Sequence, residues 1–65
     1  MLLRVYLEKK LFMKKVRLLK ANSEGVALKD DFGVTKVLDD VYIAEVEGVA
    51  GYVTLRHAGQ VGRGS

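Results

Sequence analysis

Two short segments of this 65-residue chain carry the side chains with the greatest capacity for chemistry. One is residues 31–35 and the other is residues 55–57. Arg56 offers a planar cation that can stack on a base and contact a phosphate. Thr35 offers a hydroxyl to the edge of a base, and Val34 offers an apolar wall. Unpaired nucleotides are recognised by this combination of stacking and hydrogen bonding at base edges.

Asp31 and His57 complete a candidate set of five RNA-binding residues: Asp31, Val34, Thr35, Arg56 and His57. We expect Asp31 to orient its loop by accepting hydrogen bonds from backbone N–H groups. His57 is the flat side chain beside Arg56 and is expected to stack on a base. Purely structural roles are the alternative, since aspartates commonly form turns and an exposed arginine commonly pairs with an acid.

Composition argues against several other kinds of site. The chain has no cysteine, which excludes disulfides and thiolate metal ligands, and its single histidine is too few for a zinc site. Neighbouring carboxylates at 30–31 and 39–40 make poor magnesium clamps, because adjacent residues of a strand point to opposite faces. There is neither a nucleophile with a base at suitable spacing nor a glycine-rich phosphate loop. We therefore predict no enzymatic activity and no cofactor.

Charge is distributed unevenly along the chain. Residues 1–20 carry a net charge of +6, residues 21–50 carry −5, and the whole chain carries +3. The basic start is compatible with a nucleic-acid partner and equally with a solvated face. No apolar run approaches the roughly 18 to 20 residues of a membrane span, and the start lacks the pattern of a secretion signal. These features predict a cytoplasmic protein without a membrane partner.

The spacing of apolar residues predicts a short helix followed by β-structure. Residues 2–11 place Leu3, Tyr6, Leu7 and Leu11 at helical intervals, although alternation also allows a strand over residues 2–7. Strands are predicted over the following segments: 16–19, 26–28, 34–47 and 52–55. The long third strand is expected to bend near residues 39–40, where its alternation breaks.

These elements predict a mainly β fold in a single domain spanning residues 1–65. It comprises a helix (2–11), a strongly bent antiparallel small barrel of four to five strands (13–57) and a flexible tail (58–65). A domain of this size buries only about 60% of the surface that its unfolded chain exposes. Because the chain has no disulfide or metal to stabilise it, we expect it to oligomerise.

Two stretches of the sequence match short motifs of a known family. Gly25 is followed six residues later by Asp31, then by Phe32-Gly33-Val34-Thr35 and by an apolar run that ends in Leu38-Asp39. Gly51-Tyr52-Val53-Thr54-Leu55-Arg56 follows the pattern Gly-x-hydrophobic-x-hydrophobic-Arg. In these stretches the chain resembles the Sm/LSm family of RNA-binding ring proteins, whose N-terminal helix corresponds to residues 2–11.

The resemblance implies a homo-oligomeric ring of about five to eight subunits. It also implies that the ring binds single-stranded, U- or A/U-rich RNA. Thr35 stands where the family has asparagine, so base selectivity is expected to be weak, because a hydroxyl lacks the paired donor and acceptor of an amide. The sequence also departs from the family after Arg56, where no convincing fifth strand follows.

Two other classes of protein remain open from the sequence. Residues 13–17, followed by a turn and residues 25–28, resemble the opening of the AbrB family of transcription regulators. That resemblance implies a swapped-hairpin dimer that binds DNA. The third possibility is a small barrel that only contacts other proteins.

Overall fold

Six β-strands form one mixed sheet in the computed structural model, which describes residues 2–58. The strands are β1 (Leu3–Leu7), β2 (Lys10–Ala21), β3 (Gly25–Asp30), β4 (Thr35–Asp39), β5 (Val41–Glu47) and β6 (Tyr52–His57). Their order across the sheet is β4-β3-β2-β1-β6-β5. Neighbouring strands are antiparallel except β1 and β6, which run parallel. The chain therefore builds two antiparallel units and joins them through β1.

The N-terminal segment is a strand, so the predicted helix over residues 2–11 is wrong. Val5 is fully buried, and Leu3 and Leu7 pack against the same core. This is the alternation of a strand with one buried face, because successive side chains point to opposite sides. Leu11, which completed the helical spacing, lies in β2 and is half exposed. Pairing with both β2 and β6 fixes this segment as extended, and local periodicity alone does not reveal such pairing.

The predicted long strand over residues 34–47 divides into β4 and β5 at Asp40. Asp40 has a φ of 59° and bends the chain where the alternation of the sequence breaks. Its N–H donates to the carbonyl oxygen of Glu24 at 2.9 Å, and its own carbonyl accepts from the N–H of Ala58 at 2.7 Å. The predicted long strand is therefore two strands, β4 and β5, which lie at opposite edges of the sheet. The sheet is open, has six strands and includes a parallel pair, so the predicted strongly bent antiparallel small barrel of four to five strands is wrong.

The concave side of the sheet encloses a small apolar core. Every strand except β4 contributes a buried side chain, Leu38 of β4 packs half-buried against them, and no polar or charged residue among residues 2–58 is buried. The buried side chains are Val5, Met13, Val16, Val26, Leu28, Val41, Val53 and Leu55. Burial of such side chains is worth about 1.5–3 kcal/mol each relative to exposure, and it is the main force that holds the curved sheet together.

The topology also corrects the two family resemblances. A six-stranded sheet with a parallel central pair and an N-terminal strand differs from the Sm-like arrangement of a helix followed by an antiparallel barrel. All six strands pair within one chain, so no swapped hairpin is needed to complete the sheet. Apart from Ala58, the predicted flexible tail lies outside the described residues. A single domain over residues 1–65 stays a prediction.

Gly25 provides a test of how closely β3 and β4 approach each other. A Cβ added at Gly25 would collide with the backbone carbonyl oxygen of Leu38 on β4. Because backbone cannot rotate away as a side chain can, we expect Gly25→Ala to lower the free energy of unfolding by about 1–3 kcal/mol. Urea denaturation followed by circular dichroism measures the change.

Gly48→Ala is the matched control, because a Cβ at Gly48 meets no atom within 4 Å. It should change the free energy of unfolding by less than about 0.5 kcal/mol. Equal stability of the two variants would contradict the close approach of β3 and β4.

Candidate functional site

The two segments predicted to bind RNA lie apart in the fold. Residues 31–34 connect β3 to the start of β4, whereas His57 pairs with Val41, just beyond the end of β4. The five residues of β4 separate these positions by about 15 Å along the strand. The side chains predicted to meet in one slot line four different clefts, with Asp31, Val34, Arg56 and His57 in one each. Thr35 is exposed at the first position of β4.

Asp30, and not Asp31, orients the loop between β3 and β4. One Asp30 carboxylate oxygen, Oδ1, accepts hydrogen bonds from the N–H groups of Phe32 and Val34, both at 2.9 Å. The Asp31 carboxylate instead lies 3.6 Å from the guanidinium of Arg17. An aspartate at the start of a turn commonly bonds to the backbone two residues on, which is the signal in the sequence that identifies Asp30.

Glu8 links the turn between β1 and β2 to the end of β6. Its N–H donates to the carbonyl oxygen of Leu55 at 2.8 Å, and its Oε2 accepts from the N–H of His57 at 2.9 Å. Its Oε1 lies 3.5 Å from Nε of Arg56. Glu8 adopts a φ of 58°, which directs the chain through the turn. Glu8 is not among the residues predicted from the sequence, because its partners lie almost fifty residues further along the chain.

An open apolar cavity of about 570 Å³ lies beside this junction. We call it the hairpin cavity and define it by its lining residues Leu7, Glu8, Lys9, Lys10, Leu11, Phe12 and His57. Its walls come from the ends of β1, β2 and β6. Clefts of this size that combine apolar walls with a few polar groups are typical binding sites for small molecules. The hairpin cavity is therefore a candidate site that includes a residue predicted from the sequence, His57.

The junction offers little to a metal ion from one chain alone. His57 supplies the chain's single imidazole, and its carboxylate neighbour Glu8 is already bonded to Arg56 and to backbone. Within residues 2–58, no group of three or more potential metal ligands comes together. A closed metal site commonly needs four ligands. A single chain can thus contribute part of a coordination sphere.

A polar cleft on the neighbouring strands holds two tyrosines. The rings of Tyr6 and Tyr52 meet edge to face, with centroids 6.0 Å apart and planes at 83°. The Tyr52 hydroxyl donates to Oε2 of Glu45 at 3.4 Å. The negative charge of Glu45 is the main cause that raises the pKa of Tyr52 above its ordinary 10.0, and partial loss of solvent contributes next.

Within residues 2–58 the structure has no helix that could span a membrane.

Comparison with known proteins identifies a similar fold. No protein-family model and no curated protein sequence matches the chain. Among solved structures it is similar to a protein assigned as CooT from Carboxydothermus hydrogenoformans, with a TM-score of 0.77 and 24% sequence identity. The match covers 88% of this chain and 97% of the CooT chain. At this identity the likeness shows that the two chains share a fold.

This fold overturns the function predicted from the sequence. The fold of this chain is similar to that of the CooT structure. Neither an Sm-like ring of five to eight subunits nor a single-stranded RNA partner is supported. The alternative of an AbrB-like regulator that binds DNA is wrong for the same reason. The absence of enzymatic activity stays a prediction, because a fold shared at 24% identity does not decide activity. The roles predicted for the five residues assumed an RNA partner, and that partner is no longer supported.

The Glu8 junction can be tested by removing its hydrogen-bond acceptor. We expect Glu8→Ala to lower the free energy of unfolding by about 1 kcal/mol and to speed amide exchange at His57, because that N–H loses its partner. Glu8→Gln keeps a side-chain oxygen as acceptor and should have a smaller effect. Urea denaturation and hydrogen exchange followed by NMR measure the two effects.

Glu24→Ala is the control, since Glu24 is exposed and has no side-chain contact in this junction. Equal destabilisation by Glu8→Ala and Glu8→Gln would show that the charge beside Arg56 matters more than the hydrogen bond to His57.

The pKa of Tyr52 gives a second test. Glu45→Gln removes the negative charge that disfavours the ionised tyrosine, so the pKa of Tyr52 should fall toward 10.0. Titration of the tyrosine ring resonances by NMR between neutral and strongly alkaline pH measures the value. Glu24→Gln removes a charge elsewhere and should leave the pKa of Tyr52 unchanged. An unchanged value in Glu45→Gln would place the cause elsewhere.

Proposed function

We propose that this chain acts in the cytoplasm as a CooT-like accessory protein, a nickel chaperone in the maturation of a carbon monoxide dehydrogenase. The observation that supports the proposal is the shared fold, which extends over 97% of the CooT chain. A chain of 65 residues that matches another small protein over nearly its whole length shares the complete scaffold with it. The identity of 24% leaves the individual ligand residues to be argued from this chain.

Nickel in this role is cargo, and the chain provides few donors for it. Imidazole suits nickel among the nitrogen and oxygen ligands, and thiolate is absent because the chain has no cysteine. His57 is therefore the residue we assign to nickel, at the rim of the hairpin cavity. Its position at the end of β6 leaves it half-buried. A site with few protein ligands holds its ion weakly, as transfer to an acceptor enzyme requires.

Titration of the untagged protein with nickel tests the proposal. We expect weak, saturable binding of Ni²⁺ that shifts the ring resonances of His57, because this imidazole is the chain's single nitrogen ligand of that kind. His57→Ala should abolish the binding. Glu47→Ala removes a carboxylate outside the hairpin cavity and should leave the binding intact. Isothermal titration calorimetry measures affinity, and NMR locates the ion.

A second experiment tests whether the chain assists a nickel enzyme. Apo carbon monoxide dehydrogenase supplied with limiting Ni²⁺ should recover activity faster with the wild-type chain than with His57→Ala. Equal binding of Ni²⁺ by wild type and His57→Ala would overturn the assignment of His57. Failure of the wild-type chain both to bind Ni²⁺ and to accelerate activation would overturn the proposed function.

A further inference from the structure

Strand β2 contains a bulge that turns two consecutive lysines outward. On β1, Leu3 and Val5 are two residues apart, whereas their partners on β2, Val16 and Met13, are three apart. The extra residue falls at Lys14 and Lys15, and Lys15 adopts a φ of 56°. Met13 and Val16 keep their places in the core, and both lysines are exposed. Bulges commonly redirect side chains beside functional sites.

The redirected lysines line one cleft of about 340 Å³ together with Lys36 from β4. We call it the bulge cleft and define it by its lining residues Met13, Lys14, Lys15, Asp30, Phe32, Val34 and Lys36. Consecutive residues of a regular strand point to opposite faces, so the bulge is what allows both lysines to reach the same cleft. None of its residues belongs to the hairpin cavity.

The bulge cleft carries an excess of positive charge, because three lysines and one aspartate line it. In the described part of the chain, ion pairs form at Arg17 and Arg56, and none of the three lysines has a carboxylate partner. The one acid of the cleft, Asp30, uses its Oδ1 to bind two backbone N–H groups of its own loop. Like charges brought together repel each other, and a bound anion relieves that repulsion.

An aromatic wall accompanies this charge. Phe32 is 76% exposed, which is unusual for so large an apolar side chain, and Lys15 Nζ lies 5.6 Å from the centre of its ring. Met13 and Val34 provide further apolar surface. A ligand that fits these features carries a doubly charged oxyanion for the lysines and a flat apolar group for Phe32.

We propose that the bulge cleft binds a small organic dianion of the aryl phosphate class. The phosphate group lies among Lys14, Lys15 and Lys36, and the aromatic group packs on Phe32. Charge complementarity favours this ligand over a neutral one, and the cleft's volume suits a small molecule. The inference does not rest on the proposed nickel role, since His57 and Glu8 lie outside the cleft.

Phenyl phosphate is the probe, with inorganic phosphate and phenol as its two halves. We expect phenyl phosphate to shift the amide resonances of residues 13–15 and 32–36 in a saturable way. Phosphate alone should bind about fivefold more weakly, because it lacks the contact with Phe32. Phenol should bind weakest, because it lacks the charge. Titrations followed by NMR at low salt measure all three.

Two variants separate a site from a general effect of net charge. Lys15→Asn should weaken binding of phenyl phosphate about three- to tenfold while keeping a residue type that tolerates positive φ. Lys20→Asn removes the same charge from an exposed position of β2 outside the cleft and should change the affinity less than twofold. Phe32→Ala should lower the affinity for phenyl phosphate to the affinity for inorganic phosphate.

Three results would overturn the inference. Equal weakening by Lys15→Asn and Lys20→Asn would mean that only net charge attracts the probe. Equal affinities for phenol and phenyl phosphate would show that the lysines do not bind the ligand. Resonance shifts confined to residues outside the cleft would place the ligand elsewhere. Lys15→Asn should leave nickel binding unchanged, so failure here and failure of the nickel proposal are distinguishable.

Discussion

The burial of Val5 in the middle of the sheet is the constraint on which the rest of the structure depends. Strand β1 is hydrogen-bonded to β2 on one side and to β6 on the other, and it carries Val5 into the core with no exposed surface. Without β1, the β2–β3–β4 unit and the β5–β6 hairpin share no hydrogen-bonded ladder. The Glu8 junction and the hairpin cavity both depend on this pairing, because they form where the turn after β1 meets the end of β6.

The order of the strands explains which parts of the fold can be predicted from sequence. Antiparallel neighbours such as β3 and β4 are close along the chain, and turn residues mark the connections between them. The parallel pairing of Arg4 with Tyr52 joins positions that are 48 residues apart, and no local pattern reveals it. Residues 2–11 fit a helical pattern and residues 2–7 also fit an alternating one, so the choice between them rests on that distant partner. Tertiary pairing overrides a weak local preference here.

The Sm-like motifs have local structural explanations in this fold. Gly25 is required because the carbonyl of Leu38 leaves no room for a Cβ, and Gly51 has a φ of 80° in the turn before β6. Asp31 of the first motif belongs to a tight turn that Asp30 stabilises through its hydrogen bonds to the loop. Glycines and aspartates at such spacings arise wherever short strands are joined by tight turns. In this fold the motifs therefore mark tight turns and a close approach of two strands, and the RNA-binding role that they implied is not supported.

Among residues 2–58, three residues other than glycine adopt a positive φ, and this strained backbone serves a different purpose at each of them. Glu8 and Asp40 follow the last residues of β1 and β4, and Lys15 lies at the bulge within β2. Such conformations cost of order 1–3 kcal/mol outside glycine, so a glycine would relieve the strain at any of them. Asp40 acts through its backbone, which is bonded to Glu24 and Ala58.

Glu8 and Lys15 differ from Asp40 because their side chains make contacts that a glycine would lose. The Glu8 carboxylate holds the end of β6 through His57 and Arg56, and the Lys15 ammonium faces the ring of Phe32. The first contact stabilises the fold. The second lies on an exposed surface where cation–π contacts contribute about 0.5–1 kcal/mol, less than or comparable with the strain of the bulge. The folded state alone therefore gives little reason for a lysine at position 15, and a bound anion supplies one.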